Sequence, residues 1–130
     1  MQASAEKRIK LTLFIINMLD DWGVSDSDKL DMLAMPEGTR SRAIRALREG
    51  IKPLPETDET NERIDHMLGI ADALRTSNPL NEAAGGMWMR RRNTRFKGRS
   101  PIQAMIEDGI NGIMAVRVHL DCSWDWHVHG

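Results

Sequence analysis

The chain reads as an all-α protein on three observations. Apolar residues recur at helical spacing nearly throughout, and no segment alternates convincingly over six residues. Polar cap clusters, prolines and glycines punctuate that pattern where helices should begin and end. Seven helices are predicted, four before about residue 76 and three after it.

Leu11, Ile15, Met18, Leu19 and Trp22 form one stripe of the first helix, and Ile9, Leu13 and Ile16 form a second. A helix apolar on two sides needs neighbours on two sides, so it is either central or part of a dimer contact. Gly23 should stop it. Ser25-Asp26-Ser27-Asp28 caps a short second helix carrying Leu30, Met32 and Leu33, broken by Pro36-Glu37-Gly38. Thr39 is the expected cap of a third helix running to about Glu49, with Gly50 as its stop. Pro53 and Pro55 then make a rigid link. A fourth helix is predicted from about Thr57 to Arg75, with Ile64, Met67, Leu68, Ala71 and Leu74 on one face.

Asn78-Pro79 reads as a cap followed by proline at the first helical position, opening a fifth helix from Leu80 to about Arg91. Gly85 and Gly86 inside it each cost about 1 kcal/mol against alanine. That cost points to close approach of another backbone. Ser100-Pro101-Ile102-Gln103 combines a serine cap, proline at the first position and glutamine at the third, a capping box for a sixth helix ending at Gly109. Asn111 can start a seventh helix with Ile113, Val116 and Leu120 inward. A tail from Cys122 to Gly130 follows, predicted to be free.

At 130 residues and 41% hydrophobic content, the chain can hold one compact domain or two very small ones sharing a core. The reading places a boundary at the proline link, giving regions 1–56 and 57–130. Its single cysteine excludes an internal disulfide framework and disfavours a cysteine-based zinc site, as expected of a cytoplasmic protein. Leu11 to Leu19 is too short to span a bilayer and has no signal-peptide cleavage site after it. Enzymatic activity is not expected. Neither Cys122 with His119 nor the His127/His129 pair with Asp125 supplies the further groups that a nucleophilic or metal site needs. Asp20-Asp21 and Glu107-Asp108 lie at helix ends, where solvent should satisfy them.

The net charge of −1 hides an uneven distribution. No acid lies between Glu82 and Glu107, while residues 90 to 99 hold six basic side chains. A bend between two helices that presents one sign of charge suits a partner. Arg90, Arg91, Asn93, Arg95 and Arg99 are the contact candidates there, against the alternative of solvated loop charge. Trp124, Trp126 and His127 of the tail join them as an inserted wedge. Trp88, at helical spacing with Ala84, is expected in the core, and Ser100, Pro101 and Gly109 are structural.

In the first region, three short helices with a tight break form a minimal helix-turn-helix. At about 100° per residue, Ser41, Arg42 and Arg45 point away from Ala43, Ile44 and Leu47, with Arg48 at the edge and Arg40 toward the core. This far face suits DNA contact, and equally a solvated surface; the acidic Asp26, Asp28 and Asp31 before it oppose strong phosphate binding.

Trp88-Met89-Arg90, Asn93, Gly98-Arg99-Ser100-Pro101, the Gly109 stop and the Val116/Leu120 spacing resemble the toxin-binding domain of Xre/MbcA/ParS-type antitoxins over roughly residues 60–124. Arg48-Glu49-Gly50 followed by Pro53-Leu54-Pro55 is similar to the exit of their degenerate helix-turn-helix. The chain departs from the pattern at Arg91-Arg92 and in the more basic Thr94-Arg95-Phe96-Lys97. The resemblance implies a non-catalytic antitoxin, without cofactor, that covers the active-site mouth of a RES-domain toxin consuming or transferring ADP-ribose from NAD. It further implies an N-terminal region that dimerises within a hetero-oligomeric complex and, in some members, binds operator DNA. The rival expectations are a stand-alone helix-turn-helix regulator and a protein-binding adaptor without a toxin.

Overall fold

In the computed structural model the described residues run from Gln2 to His129, with side chains described from Ser4 to Cys122. Among the described residues there are seven α-helices, two short 3-10 turns and no strand. The helices are α1 (Gln2–Asp21), α2 (Asp26–Met32), α3 (Ile44–Arg48), α4 (Asp58–Ser77), α5 (Glu82–Arg90), α6 (Pro101–Asp108) and α7 (Ile110–His129). The 3-10 turns are Ser41–Ala43 and Thr94–Phe96. The all-α expectation holds. The chain divides into two compact units, Met1–Ile64 and Asp65–Gly130, so the division falls inside α4 rather than at the proline link.

The first unit is built from α1, α2, α3 and the opening turns of α4. Its core collects Ile15, Ile16, Leu19, Trp22, Val24, Leu33, Ile44, Leu47 and Leu54. Gly23, at φ 80, donates to the Asp20 carbonyl, and Val24 donates to that of Leu19. This wraps the last turn of α1, as the glycine stop predicts. Helix α2 is capped by Ser25, whose hydroxyl accepts from the Asp28 N–H at 3.1 Å. It ends earlier than Pro36 because Ala34, at φ 51, takes the left-handed position and Met35 donates back to Leu30.

Thr39 is not the cap of the third helix. Its hydroxyl donates to the Pro36 carbonyl at 2.5 Å. Arg40 instead stands extended (φ −96, ψ 153) before the 3-10 turn, which is why it is exposed rather than turned to the core. Two buried threonines fasten the unit. Thr12 accepts from the Leu54 N–H at 2.8 Å, and Thr60 donates to the Leu33 carbonyl at 2.8 Å. Thr60 belongs to the opening turn of α4, so α4 begins in the first unit and the link ahead of it is no boundary.

The second unit holds the remainder of α4 with α5, α6 and α7. Met67, Ile70, Ala73, Leu74, Met89, Ile102, Met105, Ile113, Val116 and Leu120 are buried. The buried face of α4 includes Ile70 and Ala73, and Leu68 is exposed, a rotation from the predicted face. Asn78-Pro79 forms a turn, and Asn81 is the cap of α5, accepting from the Ala83 N–H. Gly85 makes room for the Leu74 side chain, 3.2 Å from where a Cβ would sit, so its close neighbour is a side chain rather than a backbone. The backbone approach occurs at Gly112, where a Cβ would lie 2.2 Å from the Ala104 carbonyl oxygen. Any side chain there would force α6 and α7 apart.

Candidate partner-binding surface

The bend from Arg91 to Ser100 is a closed ring rather than a loose loop. Asn93 builds it from both ends. Its N–H donates to the Arg99 carbonyl at 3.0 Å, its carbonyl accepts from Phe96 and Gly98, and its side-chain oxygen accepts from the Arg95 N–H at 2.9 Å. Lys97 and Gly98 turn the chain through successive left-handed conformations, φ 60 and φ 79. Phe96 plugs the ring into the unit: it is buried and meets the His119 ring edge-on at 5.7 Å. Trp88 stacks against the same imidazole, at 5.9 Å and 8°. Offset stacking and edge contacts are the favoured aromatic arrangements. His119 thus joins α5, the bend and α7. Burial lowers its pKa from the ordinary 6.5, and the positive charge of Arg95 lowers it further.

Arg99 closes the ring at its exit. It donates through Nε to the Phe96 carbonyl at 3.0 Å and grips Asp108 through both terminal nitrogens at 2.9 and 3.1 Å, with Glu107 at 3.3 Å. Hydrogen bonding to Asp108 raises the Arg99 pKa further, and the same contact lowers that of Asp108. Glu107 and Asp108 are therefore held by protein, not by solvent alone. Ser100 caps α6, accepting from the Gln103 N–H at 3.0 Å, with Pro101 at the first position. The Gln103 side chain bonds Glu107, so the reciprocal half of the capping box is not made. Gly109, at φ 64, ends α6 as expected.

This division of labour sorts the predicted contact residues. Asn93 shapes the ring through its backbone and side-chain oxygen, and Arg99 ties the ring to the end of α6. Arg90, Arg91 and Arg95 are exposed, as are Arg92 and Lys97, which belong with them by position. Trp88 is half-buried, stacked on His119 rather than enclosed in the core as expected. The side chains of Trp124, Trp126 and His127 lie outside the described residues; the backbone through them continues α7 rather than leaving it as a free tail. Among the described residues no group of His, Cys, Asp and Glu could hold a metal ion.

The arginines of the first unit have other duties. Arg48 is bidentate to Asp20, at 2.9 and 3.0 Å, and to Asp26, at 2.6 and 3.2 Å. It is thereby removed from the predicted DNA-facing set, because its guanidinium is filled by carboxylates of its own unit. Lys29, only 1% exposed, completes the cluster: its ammonium bonds the Val24 carbonyl at 2.7 Å, Asp20 at 2.7 Å and Asp26 at 3.0 Å. Asp20 is thus not left to solvent. Hydrogen bonding to Arg48, opposed by burial and aided by Lys29, lowers both carboxyl pKa values, Asp26 to about 2. Arg45 remains exposed but pairs with Glu49 at 2.9 Å. Ser41 and Arg42 are exposed on the 3-10 turn, ahead of an α3 only five residues long.

Sequence reasoning missed Lys29, Thr12 and Thr60 as organising residues, since their partners are apart in the chain or buried by tertiary packing. It also missed His119 as the hub of the bend, although its placement one residue before Leu120 put it at the edge of the inward face.

No family model matches the chain, and no solved structure matches it. Over 102 residues it is 34% identical to "Uncharacterized protein y4oB" of Sinorhizobium fredii (strain NBRC 101917 / NGR234), an overlap covering 78% of this chain and 74% of that protein. The chain belongs to the same family as that protein. No helix among the described residues is long and apolar enough to cross a membrane.

Proposed function

We propose that this relative of y4oB is a cytoplasmic antitoxin that binds a RES-type, NAD-consuming toxin and blocks its active site sterically. The observation that carries the reading is the bend. Its internal groups are committed to shape, and Arg91, Arg92, Arg95 and Lys97 are left exposed on a pre-organised ring. Pre-organisation lowers the ordering cost of binding, and clustered cations speed encounter with an acidic surface. The motif around Trp88, Asn93 and Gly98-Arg99-Ser100-Pro101, similar to the toxin-binding domain of Xre/MbcA/ParS-type antitoxins, supports the identity of the partner. Inhibition then needs affinity and coverage, not chemistry from this chain.

Self-association belongs to the same proposal. Phe14 on α1 is 52% exposed, an apolar side chain suited to a contact between copies. Operator binding, if added, would draw on Ser41 and Arg42.

The test is co-expression with the protein encoded by the neighbouring frame. Cells making a RES-type neighbour alone should lose NAD and stop growing. Co-expression of this chain should restore both and yield a complex that co-purifies. Persistent NAD loss beside abundant folded chain, or a neighbour that never forms a complex with it, would reject the reading.

A further inference from the structure

We infer that Lys97 is kept for contact with an acidic protein surface, as one of four cations, Arg91, Arg92, Arg95 and Lys97, that the bend exposes. The inference rests on the reading above that the bend docks a protein. Its starting point is a conflict between fold and sequence. Lys97 sits at φ 60, ψ 38, in the left-handed region where a Cβ is penalised and glycine or asparagine is preferred. The turn needs the conformation: Lys97 N–H donates to Thr94, and Gly98 N–H to Asn93. It does not need the side chain. Lys97 is exposed, and its ammonium makes no hydrogen bond or ion pair among the described residues. Asp108, whose charge it feels, is already held at both oxygens by Arg99. A residue that the local fold disfavours and that no hydrogen bond or ion pair holds points outward for its purpose.

The surroundings favour protein over nucleic acid. Met87, four residues before Arg91 and 48% exposed, is an apolar side chain of the kind enriched with arginine at protein interfaces. Glu107 and Asp108, each nearly half exposed, flank the exit of the ring. An extended phosphate backbone running past would meet them, whereas a protein can place its acids opposite the four cations alone.

The experiment compares Lys97→Gly, Lys97→Ala and Lys97→Arg in the full chain, using the RES-type toxin proposed above as probe. Lys97→Gly should raise Tm by a few degrees yet weaken the complex about five-fold, mainly in association rate, with the difference shrinking as salt rises. Lys97→Ala should weaken binding without the gain in Tm, and Lys97→Arg should retain wild-type affinity. If the wild type binds and Lys97→Gly binds equally well, or if Lys97→Gly lowers Tm, the inference is overturned while the antitoxin reading stands. If the wild type does not bind at all, both fall. Binding to a random-sequence DNA duplex that Lys97→Gly weakens, with the protein complex unaffected, would overturn it in favour of a nucleic acid.

Discussion

The two basic regions of this chain look alike in sequence and differ in kind. Around the third helix, Arg45 is paired with Glu49, and Arg48, half-buried, is held by carboxylates from α1 and α2. Around the bend, Arg99 is consumed in the same way, but Arg91, Arg92, Arg95 and Lys97 are left outside. Arginine content therefore does not identify a binding surface. What decides is whether the fold brings acids to the cations. In the first unit Asp20 and Asp26 converge on one point; in the second, the ring spends a single arginine on its acids and exposes the rest.

The contrast is sharpest in stability. Lys29→Ala should cost about 3 kcal/mol, since it removes a buried stem and leaves two carboxylates sharing one cation. Arg48→Ala should cost about 2 kcal/mol, less because that pair is about one-third exposed. Arg42→Ala should leave stability unchanged. Urea unfolding of the three variants checks this ordering, and a silent Arg48→Ala would erase the distinction between the two regions.

A smaller effect separates the units by pH. Asp20 and Asp26 have folded pKa values below their unfolded 3.8, so the unfolded chain takes up protons first on acidification. Their stabilisation is present above the unfolded value and is lost as pH falls through the lowered ones, for Asp26 about 2. His119 is likewise lowered from 6.5, so its contribution is intact above that value and declines as pH falls through the lowered one. Acidification should therefore disturb the surroundings of Trp88 before those of Trp22. Indole N–H resonances, assigned by single Trp→Phe variants, would show that order; simultaneous change would contradict it.

Much of this architecture was legible because its causes are local. Ser25 and Ser100 are caps whose acceptors and donors lie within one turn, and Gly23 and Gly109 are stops set by their own backbone freedom. Misreadings arose where local options compete. Thr39 bonds backward to Pro36, and Asn81 rather than Asn78 wins the cap of α5. Leu68 and Ile70 are two residues apart, and only packing chooses which is buried. In the candidate site, the cluster of cations was visible in the sequence, but its division into builders and contacts was not. Arg99 and Asp108 are nine residues apart, and Arg48 and Asp20 are 28 apart. Such pairings are set by the tertiary fold.

The central claim is that the bend, not the third helix, meets the partner. Its most direct test is the dissociation constant of the complex with the proposed RES-type partner for two charge-deleted chains. One carries Arg91→Gln, Arg92→Gln and Arg95→Gln; the other carries Arg42→Gln and Arg45→Gln. The account predicts at least about a tenfold loss for the first and none for the second. Equal losses, or a loss confined to the third-helix variant, would contradict it.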